Sequence, residues 1–258
     1  MPSDLWHLAV IVFAVILLGI SKTGFGGGMG VVVVPLLTLA MRPGDMLAVM
    51  AILLVAVDLL SNIHYLDSYD WPTLRWLLPG AVVGVAVGMV ILHWIDASSP
   101  DKAAFDRRLS LLIGLICLTV VILQVIRLAG VQLHSIAHGR TGGVVVGGVS
   151  GTVSTVSHTA GPIVMLYMLE TRLEKRRLVG TMLLYTLLIN ALKLAAFAVS
   201  GIVTLATLKS TLWMFPLLPV GTIAGAWMNR RLSQKPFAVI MYVTAAYAAG
   251  QMIWAALK

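Results

Sequence analysis

The 258-residue sequence contains few charged residues and only one cysteine. Asp, Glu, Lys and Arg make up 11% of the chain, whereas apolar residues make up 59% and the mean hydropathy is +0.98. A soluble domain of this length could not bury so much apolar surface, which excludes a water-soluble globular protein. The single Cys117 excludes an internal disulfide and a cysteine metal cluster. The composition therefore predicts an integral membrane protein that crosses the lipid bilayer several times.

The short motifs of common enzyme classes are also missing. The sequence contains no HExxH zinc helix, no GxSxG nucleophile turn and no Walker phosphate loop. Residues 24–30 resemble a phosphate-binding loop superficially, but no Gly-Lys-Ser/Thr follows them. We therefore expect no enzyme activity, no cofactor and no metal site.

The net charge of +8 does not indicate a nucleic-acid partner, because most basic residues lie in short connections between apolar runs. The positive-inside rule places the more basic set of connections in the cytoplasm and predicts both termini outside. Lys102, Arg107 and Arg108 count against this orientation, although three aspartates are interspersed with them. The cytoplasmic set is Arg75, Arg127, Arg140, Arg172, Lys175, Arg176, Arg177, Arg230, Arg231 and Lys235.

Two breaks interrupt the apolar pattern. The first is residues 24–30, with five glycines in seven positions, and the second is the Ser/Thr-rich stretch 154–161. The apolar runs beside them, 5–20, 31–41, 142–156 and 162–169, are shorter than the roughly 20 residues that a membrane-spanning helix needs. Each short pair is predicted to be either a re-entrant hairpin or two helices that meet at a break inside the membrane. The longer runs are 46–66, 73–94, 109–128, 177–200, 211–228 and 237–257.

Landmarks recur between the two halves of the chain. Pro35 stands 27 positions before Asn62, and Pro162 stands 28 positions before Asn190. Each half would cross the membrane a net odd number of times, so the second half would be inverted relative to the first. The repeat therefore predicts an all-α polytopic membrane protein built from two inverted repeats. Each repeat would contain a broken or re-entrant helix pair followed by three transmembrane helices. The first repeat is residues 1–129, the connecting loop is 130–141 and the second repeat is 142–258.

Facing breaks are typical of secondary transporters, because the unsatisfied amides at each half-helix start can bind an anion. Glycines would leave the backbone at the first break bare, and hydroxyl and imidazole groups would line the second. The alternative is that the glycines only allow close helix packing. The predicted substrate-binding residues at the breaks are Gly24, Gly26, Gly27, Gly28, Ser154, Ser157, His158, Thr159 and Gly161.

Few ionisable residues lie inside the apolar segments, where each costs about 2.5 kcal/mol or more unless it is paired or hydrated. Lys22 and Lys193 are candidates for the charge that binds the anion, and Asp58 is expected either to pair with a lysine or to carry a coupling proton. Asn62 and Asn190 are expected to line the site or to join helices through polar contacts. A structural Asp–Lys pair and snorkelling lysines remain the alternatives.

One stretch resembles a known family. Residues 19–28, Gly-Ile-Ser-Lys-Thr-Gly-Phe-Gly-Gly-Gly, lead into Val31–Val34 and Pro35, and Gly161-Pro162 and Asn190 with Lys193 follow in the second half. This pattern resembles the TauE/SafE family of sulfite and organosulfonate exporters. The resemblance implies an inner-membrane permease that exports a small sulfur-containing anion, such as sulfite, sulfoacetate or another organosulfonate, driven by the proton gradient.

The sequence thus predicts a secondary transporter with an anion site between its two breaks and alternating access by movement of one half against the other. Its partners would be the small anion and the lipid bilayer, with homo-oligomerisation left open. A passive anion channel that uses the same amides is one alternative. A membrane scaffold that does not transport, in which the breaks serve packing alone, is the other.

Overall fold

The computed structural model describes residues 4–25, 30–63, 65–131, 139–231 and 234–257. These residues form α-helices and short 3₁₀ turns, with no β-strand among them. The helices are α1 (Leu5–Phe25), α2 (Val33–Thr38), α3 (Pro43–Asn62), α4 (Trp71–Ala97), α5 (Lys102–Leu128), α6 (Gly139–Ser157), α7 (Gly161–Glu170), α8 (Lys175–Val199), α9 (Leu205–Thr211), α10 (Leu217–Arg231) and α11 (Gln234–Leu257).

Polar side chains and prolines begin several of these helices. The carboxylate of Asp70 caps α4 by accepting hydrogen bonds from the amide and hydroxyl of Thr73, at 3.0 and 2.7 Å. Asp101 caps α5 by accepting from the amide of Ala104 at 2.7 Å. Pro43 and Pro162 lie in the first turns of α3 and α7, where a missing N–H removes no helical hydrogen bond.

Within the described residues, five helices are long and apolar enough to cross a membrane: α1, α3, α4, α5 and α8. A bent pair, Leu205–Met214 with Leu217–Met228, changes direction by 48° and makes a sixth candidate span. The all-α, multi-pass membrane architecture predicted from the sequence is therefore confirmed.

Two segment lengths differ from the prediction. Residues 5–20 were expected to be too short to span the membrane, but α1 has 21 residues because its helix continues through the glycine of the first break at position 24. Residues 142–156 likewise belong to the 19-residue α6, about 28 Å long at 1.5 Å per residue. In each half a long helix is followed by a short one, α2 with 6 residues and α7 with 10.

Glycines join two pairs of helices at close range. A Cβ atom at Gly84 of α4 would collide with the backbone carbonyl of Gly148 in α6. A Cβ atom at Gly221 of α10 would collide with the carbonyl of Ile16 in α1. These α4–α6 and α1–α10 contacts, which we call the glycine seams, depend on small residues that let two membrane helices approach closely. Outside the seams, α3 packs against α8 and α5 packs against α11.

The buried apolar side chains form two clusters. One is built mainly on α1, α2, α3, α5 and α11, and the other mainly on α4, α6, α7 and α8. Most of the buried polar residues of the helices, including Lys22, Asp58 and Lys193, lie on α1, α3, α6 and α8, where these clusters approach each other. The fold thus surrounds a polar centre with apolar helices.

Candidate functional site

A cavity of about 40 Å³ lies between the two apolar clusters. A cavity of about 10–15 Å³ is enough to hold one water molecule, so this cavity has room for a small polyatomic ion. Apolar side chains from both clusters form part of its wall, and polar groups from α1, α6, α7 and α8 form the rest. Its lining residues are Leu18, Lys22, Met50, Leu54, Ser150, Ser154, His158, Ala160, Gly161, Val164, Met182, Tyr185, Thr186, Ile189 and Asn190.

A buried ion pair joins α1 to α3 beside this cavity. Lys22 Nζ lies 2.5 Å from Oδ1 of Asp58, and both side chains are almost fully shielded from solvent. The Thr186 hydroxyl of α8 accepts from Lys22 at 3.3 Å and lies 3.4 Å from the same carboxylate oxygen. A carboxylate buried at this depth is stable only because of these partners.

Asn190 links Asp58 to the second lysine. Its Nδ2 group donates to Oδ2 of Asp58 at 2.7 Å, and its Oδ1 accepts from Lys193 Nζ at 2.8 Å. Asp58, Asn190 and Lys193 therefore form one continuous polar chain between α3 and α8. These three side chains hold one another in place through hydrogen bonds in a low-dielectric interior.

Lys193 is fully buried and is surrounded by acceptors. Its Nζ lies 2.8 Å from Nδ1 of His158, 3.2 Å from the carbonyl of Ser154 and 3.1 Å from the Ser154 hydroxyl. Nε2 of His158 lies 3.1 Å from the carbonyl of Leu47, and its ring packs edge-on against Phe197 at 6.3 Å between centroids. The second break is thereby fixed to both α3 and α8.

The start of α7 faces the cavity. Ala160 and Gly161 line it, and their amide groups make no hydrogen bond to any residue that the structure describes. Free N–H groups at a helix start, together with its partial positive charge, suit an anion. The His158 amide is not free in this way, because it donates to the carbonyl of Ser154 at 3.0 Å.

Five of the predicted site residues line the cavity: Lys22, Ser154, His158, Gly161 and Asn190. Gly24 lies in the last turn of α1, whereas Gly26, Gly27 and Gly28 lie outside the described residues. The other predicted residues do not line the cavity: Asn62, Asp58, Ser157, Thr159 and Lys193.

Three of these residues instead hold helices and loops together. Ser157 donates to the carbonyl of Val153 at 2.9 Å and its oxygen lies 2.7 Å from the Thr159 hydroxyl. Asn62 donates from α3 to the Leu183 carbonyl of α8 at 3.1 Å. These contacts assign Ser157, Thr159 and Asn62 to the framework around the site.

Asn62 also accepts a hydrogen bond from Tyr69, at 3.2 Å, in the connection after α3. Burial, with a smaller contribution from the negative charge of Asp67, raises the pKa of Tyr69. The phenol is therefore a stable donor to Asn62 at neutral pH.

Sequence reasoning missed Ser150, Tyr185 and Thr186. The Ser150 and Tyr185 oxygens lie 2.6 Å apart on the cavity wall. A signal for Thr186 was present, because Thr186, Asn190 and Lys193 are spaced four and three residues apart and so share one helix face. Ser150 precedes Ser154 by four residues in the same way.

The cavity and its surroundings thus combine ammonium, amide and hydroxyl groups. Such donors can form hydrogen bonds to the oxygen atoms of an anion. No group of three or more potential metal-ligating side chains occurs within the described ranges.

Comparison with known proteins gives one match. The family model described as Sulfite exporter TauE/SafE matches residues 11–252 of the 258-residue chain. No curated protein and no solved structure matches it. The match spans both halves, both breaks and every residue of the polar centre, and the chain therefore belongs to the TauE/SafE sulfite exporter family.

Proposed function

We propose that this membrane protein is a secondary active transporter that exports a small sulfur-containing anion, sulfite or an organosulfonate, and that it binds this anion in the cavity between the two apolar clusters. The observation that carries the proposal is the convergence of Lys22 with the free amides of Ala160 and Gly161 on one cavity. The hydroxyls of Ser150, Ser154 and Thr186 supply further oxygen-binding groups. Membership of a sulfite exporter family supports sulfur as the central atom of the cargo.

The proposed role of each residue follows from its contacts. Lys22 lines the cavity and supplies charge directly, whereas Lys193 acts from behind Ser154, His158 and Asn190. Gly26, Gly27 and Gly28 would contribute bare backbone from the opposite break, as the sequence predicts. The amides would hold the anion, and the Ser154 and His158 side chains would orient it.

The two inverted halves are part of the same proposal. In this arrangement α1, α2, α3, α4 and α5 correspond, in that order, to α6, α7, α8, α10 and α11. The contact between α1 and α10 then corresponds to the contact between α6 and α4. Both contacts are glycine seams. The α3–α8 and α5–α11 contacts would then join equivalent helices across a pseudo-two-fold axis, as inverted repeats require. With the positive-inside rule, this arrangement supports a cytoplasmic basic face and two outer termini in the inner membrane.

Proton coupling would act through Asp58. The carboxylate and a bound anion compete for Lys22, since both need the same ammonium group. An anion that takes Lys22 leaves Asp58 without its cationic partner, which favours protonation of the carboxylate in a low-dielectric site. Anion binding and the protonation state of Asp58 would thus be coupled, and alternating access would expose the site to each side of the membrane in turn.

Efflux from proteoliposomes tests the proposal. Liposomes loaded with sulfite or with an organosulfonate should lose it faster when they contain the protein, and an imposed pH gradient should change the rate. Lys22→Met should abolish this efflux, while Lys209→Met, at a lysine on α9 outside the polar centre, should leave it unchanged. Efflux that persists in Lys22→Met contradicts the assigned site. Efflux that ignores the pH gradient and shows no saturation indicates the channel alternative.

A further inference from the structure

We propose that the first turns of α4 and α6 form a binding site for the phosphate group of an anionic phospholipid. The site is built from Arg75 and Trp76 on α4 and from Arg140 on α6. It is separate from the cavity, and lipid binding there does not depend on which anion the cavity holds.

Two arginines share one aromatic ring at this site. The guanidinium carbons of Arg75 and Arg140 each lie 5.1 Å from the centroid of the Trp76 ring. They are therefore at most twice that distance apart, although both groups are positively charged at any physiological pH. The N–H groups of a guanidinium match the oxygen atoms of a phosphate, so two guanidinium groups at this spacing can hold one phosphate between them.

Helix packing fixes the ring that carries the two arginines. A Cβ atom at Gly143 of α6 would lie 2.8 Å from the Cβ atom of Trp76 and 2.9 Å from the hydroxyl oxygen of Tyr167. The Tyr167 hydroxyl donates in turn to the carbonyl of Gly139, at 3.1 Å. The indole ring is thus held against the start of α6, and a fixed ring lowers the entropy cost of ordering the side chains that stack on it.

No carboxylate neutralises either arginine. Neither Arg75 nor Arg140 forms an ion pair with any residue that the structure describes, and the rest of the chain contains no Asp or Glu. Asp70, five positions before Arg75, instead accepts the two hydrogen bonds from Thr73 that cap α4. The charge of the two arginines is therefore available to an anion from outside the protein.

Further basic residues surround the pair. The starts of α4 and α6 lie at the same end of the molecule, because the glycine contacts advance together along both helices. Nε of Arg176 donates to the Ser68 hydroxyl at 2.9 Å, which places the start of α8 at this end as well. A surface with an excess of positive charge attracts anionic lipid headgroups. The basic residues at this end are Arg75, Arg140, Arg172, Lys175, Arg176 and Arg177, and the acidic ones are Asp67, Asp70, Glu170 and Glu174.

The site lies at the boundary between lipid headgroups and hydrocarbon. The candidate span α4 begins at Trp71, whose side chain is 62% exposed, as is typical of an interfacial tryptophan. Val82 stands seven positions after Arg75 and Val144 four positions after Arg140, on the same helix faces, and both valines are exposed. A lipid whose phosphate binds the arginines could thus lay an acyl chain along this apolar surface.

Helix packing alone does not explain the arginines. The other glycine seam uses a similar motif, since Leu-Leu-Pro precedes Gly80 of α4 and Leu-Leu-Pro-Val precedes Gly221 of α10. The residue two positions before the motif is Arg75 in α4 but Phe215 in α10. A close backbone contact therefore forms in the α1–α10 seam without an arginine at that position.

Native mass spectrometry of the full-length protein in detergent, with equal amounts of dioleoyl phosphatidylglycerol and dioleoyl phosphatidylcholine, tests the site. Phosphatidylglycerol should predominate among the bound lipids, and Arg75→Gln/Arg140→Gln should lower its binding at least about tenfold. Lys175→Gln/Arg177→Gln removes the same total charge from exposed side chains at the start of α8 and should lower the binding by less than about threefold. Equal losses in the two double variants would show a diffuse attraction to the basic surface and overturn the proposal.

A variant that keeps the charge separates paired hydrogen bonds from charge alone. Arg75→Lys/Arg140→Lys retains both positive charges but loses the planar donor groups, and it should lower phosphatidylglycerol binding by about threefold or more. Unchanged binding in this variant would overturn the proposal. Millimolar inorganic phosphate should not displace the lipid from the unmodified protein. Displacement would identify a site for a free anion and overturn the assignment to a phospholipid.

Discussion

Lys22 and Asp58 form an ion pair between α1 and α3, with Nζ and Oδ1 2.5 Å apart and both side chains almost fully shielded from solvent. Both charges are removed from solvent, so each depends on the other for compensation. The pair is also adjacent to the cavity, because Lys22 belongs to its lining. Stability and the proposed anion binding therefore depend on the same lysine.

Breaking that pair on one side should destabilise the protein more than removing both charges. Lys22→Met leaves the Asp58 carboxylate buried without a cation and is expected to cost about 3–5 kcal/mol. The double variant Lys22→Met/Asp58→Asn removes both charges and should recover most of that loss. Thermal unfolding in detergent measures both. Equal losses in the single and double variants would contradict the interdependence of the two charges.

Ser154 and Ser157 should respond differently to loss of their hydroxyls. Ser154 lines the cavity and contacts Lys193, whereas Ser157 donates to the Val153 carbonyl within α6. Ser154→Ala should weaken anion binding by about tenfold, which corresponds to one charge-assisted hydrogen bond. Ser157→Ala should change it by less than about threefold. Calorimetric titration with methanesulfonate compares the two, and a larger effect at Ser157 would contradict the assignment of Ser154 to the cavity wall.

The hydroxyl of Tyr185 should contribute a measurable but smaller part of the site. Tyr185→Phe removes its hydrogen bond with Ser150 on the cavity wall and should cost about 0.5–1.5 kcal/mol of stability. Sulfite efflux should slow without being abolished. Tyr247→Phe is the matched control, because Tyr247 is exposed on α11. Identical melting temperatures for both variants would contradict a contribution from the Ser150–Tyr185 contact.

The α4–α6 seam should not tolerate even one methyl group. Gly84→Ala places a Cβ atom against the backbone of Gly148, which cannot move aside as a side chain could. We expect a loss of about 1–3 kcal/mol, or failure to assemble. Gly250→Ala on α11 has open space at the same position and should be neutral or slightly stabilising. A neutral Gly84→Ala variant would show that the seam is looser than described.

Thiol labelling tests the predicted orientation. Cys117 is buried, and Cys117→Ala provides a background without cysteine. Ala103→Cys, at the start of α5, should react with a membrane-impermeant maleimide added to intact cells, and Glu174→Cys, before α8, should react only after lysis. The opposite result would invert the topology and place both termini in the cytoplasm.

The sequence predicted the membrane class and most helices because long apolar runs leave few alternatives. It also selected Lys22, Asp58 and Lys193, since charged residues in such runs need partners. Local pattern could not predict that Lys22, and not Lys193, is the lysine that pairs with Asp58. That choice depends on how α1, α3 and α8 pack against one another. These helices are far apart in the sequence, and the periodicity of each helix does not predict which of them come into contact.

The lengths of the broken segments were mispredicted for a related reason. Glycine and serine residues lowered the apparent apolar length of α1 and α6, but in the structure they remain helical because neighbouring helices pack against them. Tertiary contacts thus override the low intrinsic helix propensity of glycine in α6. Ser150 was missed for the same reason, because its place on the cavity wall depends on how α6 packs against other helices.

The glycine seams also bear on which parts of the molecule can move as units. Each seam joins a helix from one half of the sequence to a helix from the other half. A motion that separated the two halves would have to part both backbone contacts at once. A motion that kept both seams intact would instead carry α1 with α10 and α4 with α6. Each unit that moved would then combine helices from both halves of the sequence.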